Sequence, residues 1–270
     1  MRGLVGVDIG GSGIKAGVVD ARRGALIGDR VRVPTPQPAL VEDVVAATAA
    51  LVAGLPRDAG PVGIGVPGAI VGGRVMTAAN IDASWIGRPA AELFGAAIGR
   101  PVVVLNDADA AGLAEMRFGA GRGVRGVVLM LTLGTGIGSA LFVDGTLVPN
   151  TELGHIEIRG KDAERRASAG ARERRGLSFA DWAPLLDEYL DRIEQLIWPD
   201  LIILGGGVSK RADRFLDRLS TRAPVVPATL RNDAGIIGAA LRARALLTPP
   251  RAPRASARGT SMADPAGSAR

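Results

Sequence analysis

Cysteine is missing from this 270-residue sequence, and histidine occurs once. Without thiols the chain cannot form disulfide bonds, a cysteine nucleophile or cysteine-ligated zinc, and a single imidazole makes a structural metal site unexpected. We therefore predict no zinc. Any metal ion should have oxygen ligands and arrive with a phosphate group, as Mg²⁺ commonly does.

Long apolar runs are missing as well. No run reaches the roughly 18 residues of a transmembrane helix, and the segment MRGLVGVDIG enters a strand without the apolar core of a signal peptide. Hydrophobic residues nevertheless make up 47% of the chain, enough to bury a sizeable core and to form two lobes. We expect a globular, cytoplasmic protein with no membrane partner.

Lysine is scarce, with three residues, so arginine carries most of the formal net charge of +6. A basic chain can indicate a nucleic-acid partner, but here the charge is unevenly placed. Residues 249–270 hold four arginines and one aspartate, and residues 159–176 hold seven basic and three acidic residues. The remainder is close to neutral. We therefore predict no nucleic-acid partner, and a disordered basic tail over residues 248–270.

Glycine is abundant, and two glycine-rich loops occur at residues 8–13 and 132–138. Each follows an apolar strand and leads into another, and a gapless alignment at an offset of 124 positions places Gly10 on Gly134. Since Walker and Rossmann loops lead into helices, these loops are predicted to be the tips of two β-hairpins. Glycines at such tips let backbone N–H groups approach an anion, so two facing tips can hold a polyanion.

The remaining segments alternate between helical and strand patterns, which predicts an α/β fold. Helices are predicted over residues 38–55, 90–99, 108–121, 178–197, 209–219 and 232–247, with buried strands over 101–105 and 201–204. The inner face of the helix at 178–197 is predicted to consist of Leu185, Leu186, Tyr189, Ile193, Leu196 and Ile197.

Asn106 and Asp107 stand where a buried strand ends and a helix begins. Either side chain alone would suffice as a helix cap, which is the simpler interpretation. The carboxyl ends of strands are also where ligands bind in open α/β sheets. There Asp107 can accept a proton from a hydroxyl that attacks a phosphoryl group, and Asn106 can hold a neighbouring hydroxyl.

Asp8 precedes the first group of glycines and Lys15 follows it. Asp8 is either a turn residue or the carboxylate that holds a hydrated Mg²⁺ ion against a transferred phosphate. Lys15 is either a solvated side chain at a strand end or a point charge on phosphate.

The segment TELGHIEIRGKDAERRAS combines Glu152, His155 and Glu164. A lone histidine is more often structural, and the acids can be surface charges, but such groups also suit a sugar site. In the same segment the basic residues Arg165 and Arg166 are either a solvated face or a track for a polyanion. The triple glycine at 205–207 is either a phosphate contact or a simple strand-to-helix turn.

Five segments together resemble the ROK family of sugar kinases, within the actin-like ATPase superfamily. They are DIGGSGIKAGVVD, LTLGTGIGSALF, LNDADAAG, TELGH and LIILGGGVS, and the resemblance runs from Leu4 to Leu247. Within the family, the runs TAANIDASWIG, LNDADAAGLAEMRFGAGRG and LVPNTELGHIEIRGKDAERRAS are similar to actinobacterial polyphosphate glucokinases.

The resemblance implies a two-lobe, ribonuclease H-like fold: a small lobe at 1–105, on which the helix at 232–247 packs back, and a large lobe at 106–231. It also implies transfer of a phosphoryl group from inorganic polyphosphate, with ATP as a second donor, to the 6-hydroxyl of glucose, giving glucose 6-phosphate. Mg²⁺ and a homodimer are implied as well.

Residue roles follow from the same resemblance. Asp107 is the expected catalytic base. Glucose is expected to contact Asn106, Asp107, Glu152, His155 and Glu164. The phosphate-binding residues are expected to be Asp8, Gly10, Gly11, Ser12, Gly13, Lys15, Thr132, Gly134, Thr135 and Gly136, with Gly205, Gly206 and Gly207 on the nucleotide side and Asp8 holding Mg²⁺ through water.

The chain departs from the wider ROK pattern after His155, where most members carry a cysteine-rich zinc site and this sequence has a short, cysteine-free, basic segment. This departure favours the polyphosphate subfamily. Two alternatives remain: a kinase for another hexose such as mannose or fructose, and a sugar-sensing regulator. The regulator would require an N-terminal helix-turn-helix, whereas here a strand begins close to Met1.

Overall fold

The computed structural model describes residues 3–56 and 59–247, so the tail predicted at 248–270 lies outside the described residues. The strands are β1 (Leu4–Gly10), β2 (Gly13–Asp20), β3 (Ala25–Val33), β4 (Val62–Val66), β5 (Ile70–Val71), β6 (Arg74–Val75), β7 (Val102–Asn106), β8 (Val127–Leu133), β9 (Ile137–Val143), β10 (Thr146–Val148), β11 (Glu157–Ile158), β12 (Lys161–Asp162), β13 (Leu201–Gly205) and β14 (Val225–Pro227). The helices are α1 (Val41–Ala53), α2 (Ala90–Ile98), α3 (Asp107–Phe118), α4 (Glu164–Ala167), α5 (Ala169–Arg174), α6 (Phe179–Ile197) and α7 (Ala234–Ala243). Within these described ranges, no helix is both long and apolar enough to cross a membrane.

Two five-stranded sheets have the same topology. The first has the order β3-β2-β1-β4-β7, and the second has the order β10-β9-β8-β13-β14. In each sheet three antiparallel strands follow one another along the chain, and two further strands run parallel to the first of them. The repeat visible in the glycine loops therefore extends to both whole sheets, and the predicted α/β fold with duplicated hairpins is confirmed.

The repeat is not gapless, which corrects the alignment made from sequence. Four residues lie between the paired Ile9 and Ile14, but only three lie between the paired Leu133 and Ile137. The second glycine loop is therefore one residue shorter, and beyond the loops the offset falls by one position. Loop length sets the register of a hairpin, so the one-residue difference is seen in the strand pairing although the two sequences look alike.

The helices α3 and α7 lie between the two sheets, and small residues let them approach closely. α7 packs against β1, β4 and α3. A Cβ atom on Gly6 or Gly63 would overlap the backbone oxygen of Ile236 or Ala239 in α7. Glycine is needed at these two strand positions because the helix backbone rests directly on the sheet.

The long helix α6 covers the second sheet on the side away from α3 and α7, and its inner face differs in part from the prediction. Leu186, Tyr189 and Ile193 are fully buried as predicted, whereas Leu196 is 57% exposed and Leu190 is buried. Burial recurs at alternating spacings of four and three residues from Leu186, and this stripe passes beside Leu196.

The helix predicted at 209–219 is absent. The chain there forms 3-10 turns at Gly207–Arg214 and Leu216–Arg218, with a non-helical Arg211. Val208, Ala212 and Phe215 are buried at the i, i+4, i+7 spacing that an α-helix also shows, which explains the prediction. The backbone decides otherwise, because the non-helical Arg211 and Phe215 divide the segment into short turns.

Candidate active site

The two glycine loops face one cleft between the sheets, with a cavity of about 390 Å³. Most of the residues selected from sequence line it. They are Asp8, Gly10, Gly11, Ser12, Lys15, Asn106, Asp107, Thr132, Gly134, Thr135, Gly136, Glu152, His155, Glu164, Gly206 and Gly207.

Asn106 and Asp107 have separate tasks at the start of α3. The Asn106 side chain is the helix cap, because its Oδ1 accepts the N–H of Asp109 at 2.9 Å, and its Nδ2 donates to the carbonyl of Gly68 at 3.1 Å. Asp107 is not needed as a cap. Its Oδ1 accepts the N–H of Ala108 at 2.9 Å, and no described side chain or backbone group is hydrogen-bonded to Oδ2. One carboxylate oxygen is therefore left facing the cleft.

Burial raises the pKa of the Asp107 carboxyl to about 7. The nearby carboxylates of Asp8 and Glu152 contribute to this rise, and the hydrogen bond from Ala108 partly opposes it. A carboxyl group with a pKa near neutrality can both take up and release a proton at physiological pH, as general acid–base catalysis requires.

Asp8 and Lys15 are paired across the first hairpin. They are opposite each other in the β1–β2 register, and Lys15 Nζ lies 2.9 Å from Asp8 Oδ2. The start of α7 abuts the same carboxylate, since a Cβ on Gly235 would lie 2.8 Å from Asp8 Cγ. The ion pair and the helix start thus place one carboxylate and one ammonium group at the mouth of the first loop.

The residues present fit a Mg²⁺ ion that is held mainly by a phosphate donor. Asp8 and Asp107 line the same cavity, and their repulsion is part of the reason for the raised pKa of Asp107, so a cation between them would be favoured. Within the described part of the chain, no three or more His, Cys, Asp or Glu side chains are close enough to form a metal site alone. Mg²⁺ commonly binds through one or two carboxylates plus substrate phosphates.

The first glycine loop is supported through its carbonyl groups. Thr35 Oγ1 donates to Gly10 O at 2.5 Å, Gln37 Nε2 donates to Gly11 O at 3.0 Å, and Arg32 donates to Ser12 O at 2.9 Å. With the carbonyls held by side chains from the end of β3 and beyond, the N–H groups of the loop remain available for an anion.

The second loop is supported by α4, α5 and Glu164. The Glu164 carboxylate accepts the N–H of Ile137 at 3.1 Å, and Ser168 Oγ donates to Thr135 O at 3.2 Å. The N–H of Gly170 donates to Gly134 O at 2.8 Å. Glu164 therefore fixes the loop as well as lining the cavity, a structural task that the sequence did not reveal.

Glu152 and His155 line the same cleft and belong to a segment that packs against the second hairpin. His155 Nε2 is 3.8 Å from Glu152 Oε2, and His155 Nδ1 is 3.4 Å from Asp162 Oδ2. Glu152 Oε1 is buried and has no hydrogen-bond partner among the described residues. Burial raises the pKa of Glu152, which His155 partly opposes and Glu164 reinforces. An orphaned buried acceptor indicates a missing donor, and a sugar hydroxyl would supply one.

Four selected residues do not line the cleft. Gly205 is inside β13 with its Cα facing Met130, and Gly13 faces the guanidinium of Arg32. Arg166 is partly buried in an ion pair with Glu188 at 2.8 Å, and Arg165 is exposed on α4.

Several cleft residues were missed. Asn80 belongs to the quoted run TAANIDASWIG, and Arg231 and Asn232 directly precede α7. A polar cluster immediately before a helix made of small residues is a signal that sequence reasoning could have used, as it did for Asn106.

Comparisons with known proteins agree with this geometry. Residues 4–173 match the sequence model of the ROK family. The chain is 52% identical over 237 residues to a polyphosphate glucokinase of Mycobacterium tuberculosis, covering 87% of this chain and 89% of that protein. A crystal structure of an inorganic polyphosphate/ATP-glucomannokinase from Arthrobacter sp. strain KM is 55% identical, with a TM-score of 0.89, over 91% of this chain and all of that one. A ROK family glucokinase from Streptomyces griseus, in complex with glucose and AMPPNP, is 31% identical, with a TM-score of 0.78, over 90% of this chain and 99% of that one. The chain therefore belongs to the ROK family.

Proposed function

We propose that the protein is a glucokinase that transfers a phosphoryl group from inorganic polyphosphate, and from ATP as a second donor, to the 6-hydroxyl of glucose. The observation that carries the proposal is Asp107, a partly exposed carboxylate with a pKa of about 7. One of its oxygens has no hydrogen-bond partner among the described residues, and it lines the same cleft as the two glycine loops. The donors and the acceptor are those in the names of the Mycobacterium and Arthrobacter relatives.

On the acceptor side, glucose would be held between Asn106 and the Glu152–His155 pair, with Glu164 nearby. The orphaned Oε1 of Glu152 would accept one sugar hydroxyl, and the amide of Asn106 has a hydrogen left to donate. Asp107 Oδ2 would then accept the proton of the 6-hydroxyl as its oxygen bonds to phosphorus. Because phosphoryl-transfer transition states are loose, this proton moves late and a carboxylate is a sufficient base.

On the donor side, the N–H groups of residues 10–12 and of Thr135 and Gly136 would bind the terminal phosphates, and Lys15 would contribute a point charge. Gly206 and Gly207 would form the nucleotide side when ATP is the donor. Asp8 would hold Mg²⁺ through water, and the ion would neutralise charge on the transferred group.

The same proposal includes the wider organisation of the protein. Residues 1–105 and 106–231 would be two lobes that close on the substrates, with the C-terminal helix packed on the first lobe, as α7 is packed here on β1 and β4. By family resemblance, we further propose a cytoplasmic homodimer.

The test is a coupled glucose 6-phosphate assay run in parallel with polyphosphate and ATP. Activity with polyphosphate and glucose is the expected result. No glucose 6-phosphate from one of the two donors would contradict the proposal for that donor, and no phosphorylation of glucose would contradict the proposed acceptor. Mannose should be tested as a second acceptor, because the Arthrobacter relative is a glucomannokinase. Mannose would therefore be compared with glucose and fructose, with the sugar 6-phosphate measured directly.

A further inference from the structure

A second cavity adjoins the cleft on the donor side. It has a volume of about 710 Å³ and shares Gly134, Thr135 and Gly207 with the cleft. Its other walls come from α5, the start of α6 and the 3-10 turn at Gly207–Arg214. The glycines that border the terminal phosphate position therefore also border the entrance to this second cavity.

Three arginines on this cavity are free to bind an anion. Arg174, Arg211 and Arg214 are exposed, and none of them forms an ion pair with a described residue. The acidic residue among the lining side chains, Glu173, lies 3.5 Å from the guanidinium of Arg172. The local negative charge is thus already partnered, and we call Arg174, Arg211 and Arg214 the arginine groove.

Arg172 forms the fixed part of the wall. Its Nη1 donates to the carbonyl of Leu177 at 3.0 Å, and its Cζ lies 4.5 Å from the ring centroid of Phe179. Arg214 lies over the same ring at 5.3 Å, which holds its guanidinium near the cavity. Beyond Arg214 the surface is of mixed charge, with Asp213 and Asp217 beside Arg218.

The geometry points to the arginine groove as the site for the part of a polyphosphate chain that lies behind the terminal phosphoryl group. This inference rests on the proposed function. A long linear polyanion whose end lies between the two glycine loops must leave the cleft, and the passage beside Thr135 and Gly207 leads to three unpartnered guanidinium groups. Arginine suits phosphate because its planar fork binds two oxygens at once.

This placement differs from the track at Arg165 and Arg166. The guanidinium of Arg166 is 2.8 Å from Glu188, which also pairs with Arg159, and Arg166 lines neither the cleft nor the second cavity. Arg165 lines neither the cleft nor the second cavity. The basic segment after His155 therefore contributes Arg174 to the donor side, and the other two arginines come from the turn after β13.

The test compares two triple variants of the full chain. The first is Arg174→Gln/Arg211→Gln/Arg214→Gln. The matched control, Arg22→Gln/Arg125→Gln/Arg192→Gln, removes the same charge from exposed positions that line neither cavity. KM is measured with long-chain polyphosphate, tripolyphosphate and ATP. Affinity for labelled long-chain polyphosphate is measured by fluorescence anisotropy in the absence of glucose, over a range of salt concentrations.

We expect the groove variant to raise the KM for long-chain polyphosphate by about tenfold or more, with tripolyphosphate and ATP changed less than about threefold. The plot of log affinity against log salt should become less steep by about 2, because each lost phosphate contact reduces the magnitude of its slope by about 0.7. The control should stay near wild type, and replacing the same three arginines with lysine should restore most of the binding.

Three results would overturn the inference: equal losses in groove and control variants, an equal loss with ATP, or an unchanged salt slope. Failure of the proposed function has a different signature. In that case wild type itself forms no glucose 6-phosphate from polyphosphate, whatever the variants do.

Discussion

The two halves of the molecule share a fold but divide the charges unequally. In the first hairpin, Asp8 and Lys15 face each other across the strands. The corresponding pair in the second hairpin is Thr132 and Gly138. The duplicated scaffold places two anion-binding loops opposite each other, and only one of them carries ionised side chains. A symmetric framework therefore supports an asymmetric site.

The helix that follows the last strand of each sheet, α3 after β7 and α7 after β14, shows the same contrast. α3 begins at Asp107 and reaches the second hairpin, where a Cβ on Gly138 would lie 2.9 Å from Ala108. α7 begins at Ala234 and reaches the first hairpin at Asp8 through Gly235. Each helix start points to the hairpin of the other half, but only α3 brings a carboxylate. This is why the start of α3 provides the base, whereas the start of α7 adds no carboxylate to the cleft.

The largest expected effect comes from removing that carboxylate. Asp107→Asn should lower kcat by about 10³, within the 10²–10⁴ range of general base catalysis, and should leave glucose affinity within about threefold. The measurement is steady-state kinetics together with calorimetric glucose binding.

The matched control is Asp233→Asn, the acid just before α7, whose carboxylate pairs with Arg30 at 2.7 Å. Its kcat should stay within about twofold of wild type. Similar losses in both variants would break the contrast between the two helix starts.

The next effect concerns pH. The base must be ionised, and burial with the Asp8 and Glu152 charges raises the pKa of Asp107 to about 7 in the free protein. The kcat/KM for glucose at low donor concentration should therefore fall about tenfold per pH unit below 7, reaching roughly 100-fold at pH 5. Asp8→Asn removes one repelling charge, so the midpoint of the profile should move to lower pH. A midpoint that stays in place would show that Asp8 does not act on Asp107.

A smaller effect should distinguish the two outer glycines of the second loop. A Cβ on Gly136 would overlap the Glu164 carboxylate, whereas a Cβ on Gly134 would meet no atom within 4 Å. Gly136→Ala should lower kcat/KM about tenfold by displacing Glu164 from the N–H of Ile137. Gly134→Ala should cost less than about threefold. Parallel kinetics of the two alanine variants give the comparison, and equal losses would show that Glu164 does not fix the loop.

The smallest effect is on stability, and its sign is opposite to that on activity. The folded-state pKa of Asp107 lies above its ordinary value of 3.8, so ionising it costs stability as the pH rises through about 7. Asp107→Asn should therefore raise Tm at pH 8 by several °C, at roughly 2–4 °C per kcal/mol, and the gain should vanish near pH 4. Differential scanning calorimetry at both pH values checks this, and a gain independent of pH would contradict the charge explanation.

Local features of the fold were predictable from sequence because they depend on neighbouring residues. Apolar strands around glycines predicted both hairpins, and the strand-to-helix transition at Asn106 predicted the start of α3. The same reasoning failed at residues 209–219, where a non-helical Arg211 interrupts the helical pattern of the sequence and the chain forms 3-10 turns. It also failed at Leu196, where the packing of α6 on its sheet selected a different stripe.

By itself, the sequence determined the repeated hairpins, the residue types of the cleft and membership of the ROK family. Only the tertiary structure decided which charges act together. Asp8 and Asp107 are far apart in the chain, yet their proximity in the cleft helps to raise the pKa of the base. Arg166 is held in an ion pair with Glu188, whereas Arg174, Arg211 and Arg214 line one cavity on the donor side. Electrostatic interactions depend on distance and burial in three dimensions, and neither can be read from spacing along the chain.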